Sequence, residues 1–326
     1  MKEVLIVGAG GIANRHAGAI ARIAGLRLAG VVDIVPERAQ ALAERSGAHA
    51  YRSLEEALAS RPDYVTLCTP REYRLPAIAA CAAAGVPVLM EKPPCHNLST
   101  GRRIQELLQE SGLLHAVGFM HRWHQALHVV LERLAGERLS TIQVSFQSPF
   151  ATEPVYDTYP APYLVERSGG LVGDQGIHYV DLCRYIARAE VKRMQVMGLN
   201  QVLPRSQHVT TCDVACWFLE MDNGVAVTHT HTWAGPGWAC ALELVTDRSQ
   251  VRVDLFANRA AGSLAGQEFT YHGTVDEFEL EHRGFLAAVE QQDQRLVRSP
   301  YADALESFRV QAELNRLLYG GTPELE

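Results

Sequence analysis

Through its first 120 residues the chain alternates short, continuous apolar runs with stretches of helical period. The runs at Glu3–Val7, Leu28–Val32, Tyr64–Cys68, Val86–Met90 and Leu114–Gly118 predict strands. Helices are predicted over Ile12–Ile23, Pro36–Arg45, Ser53–Ala59, Glu72–Ala84 and Ser99–Glu110. Pro36 opens the second helix, where a missing N–H costs nothing. Ser53, with Glu56 three residues on, forms a capping box. Strands that are apolar throughout, rather than alternating, are buried on both faces. They predict a parallel sheet with helices on each side.

After about residue 120 the pattern changes. Trp123–Leu134 and Gly173–Ile186 have helical period, and Thr141–Ser148 alternates as a strand does. Residues 149–163 carry four prolines and three tyrosines and predict a loop. Four or five alternating runs follow between Val191 and Leu255, two of them separated by the turn Asp222-Asn223-Gly224. Helices over Asp276–Gln291 and Tyr301–Tyr319 end the pattern. Strands in a row, then helices, predict an α+β domain with a mainly antiparallel sheet. The boundary falls near Met120, giving domains of residues 1–120 and 121–326.

Composition agrees with two domains, since 326 residues is about twice the usual domain length of roughly 150. An apolar content of 47% excludes disorder as a description of the whole chain. Thirty basic against thirty-seven acidic residues give a net charge of −7, with no basic stripe, which argues against a nucleic-acid partner. The longest apolar stretch, Ile78–Met90, is interrupted by Gly85 and Pro87 and falls short of the ~20 residues of a membrane helix. Lys2 is followed by a strand and then glycines, not by the form of a signal peptide. The seven scattered cysteines contain no Cys-x-x-Cys and read as reduced thiols of a cytoplasmic protein.

The chemistry begins at Val4-Leu-Ile-Val-Gly8-Ala-Gly10-Gly11-Ile12-Ala13. A strand runs into G-x-G-x-x-A and then a helix, the pattern of a Rossmann dinucleotide-binding turn. Gly8 allows the tight turn, Gly10 a close approach to pyrophosphate, and Ala13 close helix packing. Asp33 ends the next strand, where a carboxylate accepts both ribose hydroxyls and repels a 2′-phosphate, so NAD is favoured over NADP. Thr69-Pro70 and Glu91-Lys92-Pro93 close two further strands at the sheet edge where ligands bind. The fold class is therefore α/β: an N-terminal Rossmann domain plus a C-terminal α+β domain.

Asp174 and His178 are four apart on a predicted helix and share a face, with Asp181 beside them. An imidazole ordinarily titrates near neutrality and suits general-base work. The other reading of the pair is a capped helix whose histidine faces water. Lys92 has a donor for a reacting oxygen. His229 and His231 alternate on a strand with no carboxylate or cysteine partner apparent, which predicts a polar stripe and no metal. Tyr156, Tyr159, Tyr163, Trp233 and Trp238 either stack on the apolar face of a sugar or serve packing.

Together these motifs resemble the glucose–fructose oxidoreductase / inositol dehydrogenase / MocA family. The resemblance rests on the glycine turn, Asp33, Thr69-Pro70, Glu91-Lys92-Pro93 and Val117-Gly118-Phe119 with Arg122. It continues through Gly169-Gly170-Leu-Val-Gly-Asp174-Gln-Gly176-Ile-His178-Tyr-Val-Asp181 and Tyr301-Ala-Asp303-Ala304. It implies NAD(P)-dependent hydride transfer with a sugar, inositol or related polyol. An open-faced sheet in the second domain and a homodimer or homotetramer are implied too. Lys92, Asp174 and His178 become the catalytic set, with His178 as acid/base and a cis bond between Lys92 and Pro93. Gly8, Gly10, Gly11, Ile12, Ala13, Asp33, Thr69, Pro70, Glu91 and Lys92 are expected at the cofactor. Arg122, Trp123, Tyr156, Tyr163, Asp174 and His178 are expected at the substrate. Two departures stand out: Arg74 occupies a position that is commonly histidine in the family, and residues 149–163 match no particular subgroup. Two other functions fit the same Rossmann motif: an NAD-dependent glycosidase acting by transient oxidation, and a non-catalytic nucleotide-sensing regulator.

Overall fold

A computed structural model describes residues 1–152, 161–203, 206 and 209–320. In chain order the elements begin β1 (Lys2–Val7), α1 (Gly11–Ala21), β2 (Leu26–Val32), α2 (Pro36–Ser46), β3 (His49–Tyr51) and α3 (Leu54–Leu58). They continue with β4 (Tyr64–Leu67), α4 (Arg74–Ala84), β5 (Val88–Glu91), α5 (Leu98–Ser111) and β6 (His115–Gly118). Then come α6 (Gln125–Arg133), β7 (Leu139–Gln147), α7 (Val165–Ser168) and α8 (Ile177–Ala187). Strands β8 (Val191–Leu199), β9 (Val214–Met221), β10 (Ala226–Thr232), β11 (Ala239–Thr246) and β12 (Gln250–Asp254) follow. The last are β13 (Arg259–Leu264), β14 (Gln267–His272), α9 (Glu277–Gln291) and α10 (Tyr301–Tyr319).

The chain forms two compact units. The first comprises Met1–Trp123 and Val275–Glu306; the second comprises His124–Thr274 and the residues from Ser307 onward. In the first unit six parallel strands lie in the order β3-β2-β1-β4-β5-β6. Every residue of β4 and β5 is buried, as a sheet covered on both faces requires. Ser53 caps α3 by accepting the Glu56 N–H at 3.1 Å, and the Glu56 carboxylate accepts the Arg52 N–H. The edge strand β3 escaped the hydrophobic pattern because it is three residues long and only partly buried. Helix α9 packs on this sheet through Phe285, Ala288 and Val289, against Val4, Ile6, Tyr64 and Leu89.

In the second unit eight strands lie in the order β14-β13-β12-β11-β7-β10-β9-β8. All neighbours are antiparallel except β7 and β10. The turn at Asp222-Asn223-Gly224 joins β9 to β10, with Gly224 at φ +87°. Strands β13 and β14 lie beyond the predicted runs. Their turn, Ala265-Gly266, has positive φ at both residues (+48° and +84°), as a tight hairpin requires. One sheet face is buried and holds Val227, Trp217, Phe146, Val144 and Ile142. The other is open and exposes Met197, Leu199 and Phe218. Among the described residues no helix is long and apolar enough to cross a membrane.

Candidate active site

The glycine turn follows β1 directly. Gly8 has φ +92°, and a Cβ there would lie 2.8 Å from the Cys68 carbonyl, so only glycine permits this crossing. A Cβ at Gly10 or Gly11 would meet nothing within 4 Å and would fill the open mouth of the turn. Gly10 caps α1 without a side-chain hydrogen bond, and the buried Ala13 packs the helix close to the sheet. Half-buried Ile12 flanks it. This cradle, with N–H groups at a helix start, fits a dinucleotide pyrophosphate. Asp33 Oδ2 accepts the Ala9 N–H at 2.6 Å and Oδ1 accepts the Val35 N–H at 2.8 Å. Each oxygen keeps a second lone pair for a ribose hydroxyl. Ile34 is 91% exposed beside it and has no donor for a 2′-phosphate. Arg38 lies exposed on α2.

Thr69 and Pro70 follow β4, and Glu91 ends β5. The Lys92–Pro93 bond is cis, as the resemblance implied. Glu91 is 4% exposed yet ionised in character. Burial pushes its carboxyl up, but the His16 hydrogen bond and the charges of Lys92 and Arg74 outweigh burial and hold it below the usual range. His16 lies on α1. A carboxylate only accepts, so His16 Nε2 donates to Glu91 Oε1 at 2.9 Å. His16 Nδ1 then accepts from His282 Nε2 at 2.9 Å, and His282 Nδ1 accepts from the Tyr64 hydroxyl at 2.8 Å. Burial lowers His282 well below the usual histidine range, so it is neutral, as this chain requires. The sequence reading missed His16, Tyr64 and His282; each is a single polar residue, and no period or spacing marks it.

Arg122 and Trp123 also belong to the first unit. Arg122 is buried, pairs with Asp303 at 2.5 Å and donates to the Arg298 carbonyl. The Arg298 guanidinium lies 4.0 Å from the Trp123 ring centroid. A Cβ on Gly284 would run into the same ring.

Asp174 and His178 belong to the second unit. The helix expected over Gly173–Ile186 opens as a π-helical turn, Val172–Gly176, before α8. A π turn takes more residues than an α turn, so the backbone is wider here than the expected helix. Glycines make the widening possible: a Cβ at Gly173 would stand 2.1 Å from the Ser168 carbonyl oxygen. Asp174 is half-buried and His178 is 7% exposed. Asp181, expected beside them, is buried and accepts from Ser307 Oγ at 2.8 Å. That hydroxyl in turn accepts from Arg184 at 2.7 Å.

Tyr163 is fully buried, and its hydroxyl donates to the Phe150 carbonyl at 2.9 Å. Trp233 is also buried and donates to Gln175 Oε1 at 2.9 Å, whereas Trp238 is half exposed. Tyr156 and Tyr159 lie outside the described residues. His229 and His231 do form a polar stripe, but on the buried sheet face; His229 stacks on Trp217 at 3.9 Å. Burial lowers both histidines well below their usual range, and His231 adds to the effect at His229.

A family model described as an oxidoreductase family with an NAD-binding Rossmann fold matches residues 2–119. The GFO/IDH/MocA C-terminal domain model matches residues 124–254. An inositol 2-dehydrogenase from Rubrobacter xylanophilus is 26% identical over 251 residues, covering 76% of this chain and 70% of its own. A 4-carboxy-2-hydroxymuconate-6-semialdehyde dehydrogenase from Sphingobium sp. is 26% identical over 324 residues, covering 96% and 97%. Among solved structures, scyllo-inositol dehydrogenase from Lactobacillus casei, with bound NAD(H) and scyllo-inositol, superposes with a TM-score of 0.83. Its sequence is 17% identical, over 98% of this chain and 97% of that one, so this likeness speaks to the fold.

Proposed function

The chain belongs to the GFO/IDH/MocA oxidoreductase family, and we propose that it moves a hydride between a nicotinamide cofactor and a secondary alcohol of a sugar, inositol or related polyol. The observation that carries this reading is the first unit's cradle: an open glycine turn, with Asp33 after β2 and Lys92 on a braced turn after β5. NAD is the proposed cofactor, because Asp33 has lone pairs for ribose hydroxyls and its neighbour Ile34 offers no cation.

Gly8, Gly10, Gly11, Ile12 and Ala13 would hold the pyrophosphate end, and Thr69, Pro70, Glu91 and Lys92 the nicotinamide end. The Glu91 carboxylate is already engaged by His16 and by the Lys92 N–H, so it acts there by bracing the turn. A nicotinamide held there would supply the acceptor for a hydride from the carbinol carbon. His178 takes the hydroxyl proton, Asp174 orients a hydroxyl or the imidazole, and Lys92 donates to the oxygen as it becomes a carbonyl. Arg122, Trp123 and Tyr163 are buried or engaged within their own units, so any part they play at the substrate is shaping rather than direct donation. The exposed Met197, Leu199 and Phe218 support a homo-oligomer paired through the open sheet face.

The test is nicotinamide absorbance on mixing the protein with NAD or NADP and a panel of inositols, aldoses and sugar acids. NADH formation with one class is the expected result. Silence across the panel, with NAD binding confirmed by calorimetry, would overturn the polyol reading.

A further inference from the structure

Both backbone polar groups of Lys92 are held by charged side chains of opposite sign. Its N–H donates to Glu91 Oε2 at 3.0 Å, and its carbonyl accepts from Arg74 Nη2 at 3.1 Å. The same nitrogen reaches the Thr69 carbonyl at 3.4 Å, a longer and weaker bond. One guanidinium therefore ties the residue that follows β5 to the segment that follows β4. All of these groups lie in the first unit.

Arg74 is an expensive choice for a strut. It is 2% exposed, and its Nε and Nη1 make no hydrogen bond among the described residues. Burying a guanidinium with unpaired donors is unfavourable, and an apolar side chain of similar length would fill the same space with less penalty. Packing alone does not account for it. What Arg74 does that an apolar residue cannot is hold a carbonyl and place a positive charge near Glu91. That carboxylate is the group bracing the other side of Lys92.

We propose that Arg74 is a positioning residue for Lys92: its guanidinium fixes the Lys92 carbonyl and so sets where the ammonium points. The inference rests on the reading of Lys92 as the donor to the reacting oxygen. It assigns a role to the position where this chain departs from the histidine common in its family. Sequence could not supply it, because Arg74 and Lys92 are brought together only by the parallel pairing of β4 with β5.

The chain offers a clean probe, since it has only three lysines, Lys2, Lys92 and Lys192. Lys2 pairs with Asp63 and Lys192 with Glu220, so neither depends on Arg74. Reductive methylation with a carbon-13 label gives one dimethylamine signal per lysine besides the N-terminal amine, and Lys92→Arg assigns the signal of interest. In Arg74→Met the Lys92 signal should move while those of Lys2 and Lys192 stay. On unmodified protein, with NAD and the most active polyol of the panel, kcat should fall about tenfold to a hundredfold. KM and NAD affinity should hold within about twofold, because the loss falls on orientation at the reacting oxygen rather than on binding. Arg74→Lys, which keeps one donor, should recover part of the rate. If Arg74→Met does not fold, Arg74→Gln takes its place with the same readouts. A Lys92 signal at its wild-type position in the folded variant overturns the inference whatever the rate. Unchanged kcat in Lys92→Ala would instead remove Lys92 from the reaction, and the labelling would still decide whether Arg74 sets its position.

Discussion

His16 donates its Nε2 hydrogen to Glu91 across 2.9 Å, with both side chains buried. This one bond joins the helix that follows the glycine turn to the turn that carries Lys92. Behind it the donors run one way, from Tyr64 through His282 to His16, and end on the Glu91 carboxylate. The chain satisfies a buried charge and braces two parts of the proposed cofactor cradle together.

Replacing His16 with leucine should leave Glu91 short of a donor and His282 Nε2 without an acceptor. Leaving a buried charge without its hydrogen-bond donor costs about 3 kcal/mol. The urea midpoint should fall accordingly at pH 7. A loss below about 1 kcal/mol, the ordinary worth of a single neutral hydrogen bond, would mean that the chain contributes little.

Glu281 is shifted the opposite way from Glu91. It is 2% exposed, and neither carboxyl oxygen makes a hydrogen bond among the described residues. Burial, then the neighbouring Glu91 and Glu277 carboxylates, push it well above the usual range. Stability tied to such a group is fully present below its unfolded pKa near ~4.3 and is lost as pH rises through the folded value. Glu281→Gln, which cannot ionise, should therefore raise Tm at pH 8 and lose that advantage near pH 4. An equal effect at both pH values would show that Glu281 does not titrate between folded and unfolded states.

His229, His231 and His282 are buried, and burial is the largest cause holding each below its usual range. Their stabilising contribution is complete above the unfolded histidine pKa of ~6.5 and is lost as pH falls toward the folded values. Each proton taken up on unfolding adds about 1.4 kcal/mol per pH unit to the slope. Unfolding free energy should therefore drop between pH 7.5 and 5.5. The double variant His229→Gln, His231→Gln should show a shallower drop. The same slope in both proteins would assign the acid sensitivity elsewhere.

Lys92→Ala should lower kcat at least about a hundredfold with NAD affinity little changed, because donation to the reacting oxygen belongs to the chemical step. Stopped-flow turnover and calorimetric NAD titration separate the two effects. Wild-type kcat in the variant would refute the assignment.

Asp33→Ala should reduce the NAD-over-NADP ratio of kcat/KM by about tenfold or more, through loss of a ribose acceptor and of a charge that repels phosphate. Because Asp33 also accepts the Ala9 and Val35 N–H groups, affinity for both cofactors should weaken. A ratio that stays at the wild-type value would take Asp33 out of cofactor selection.

The glycine turn was legible because each of its features is local: an apolar strand, small residues at set offsets, and a helix start. The two sheets were legible for a related reason, since burial on one face or both leaves a period in the chain. The short edge strand β3 and the β13–β14 hairpin left no such trace, and partner strands supplied their hydrogen bonds. The π turn at Val172–Gly176 depends on where the Ser168 carbonyl sits against Gly173, a contact that no helical period encodes. His16, Tyr64, Glu91 and His282, like Arg74 with Lys92, are isolated polar residues far apart in the chain. Patterning reports how much of each residue is buried. Which donor meets which acceptor inside the core is set by strand order and helix packing, and there the unfavourable burial of an unpaired polar group makes the choice.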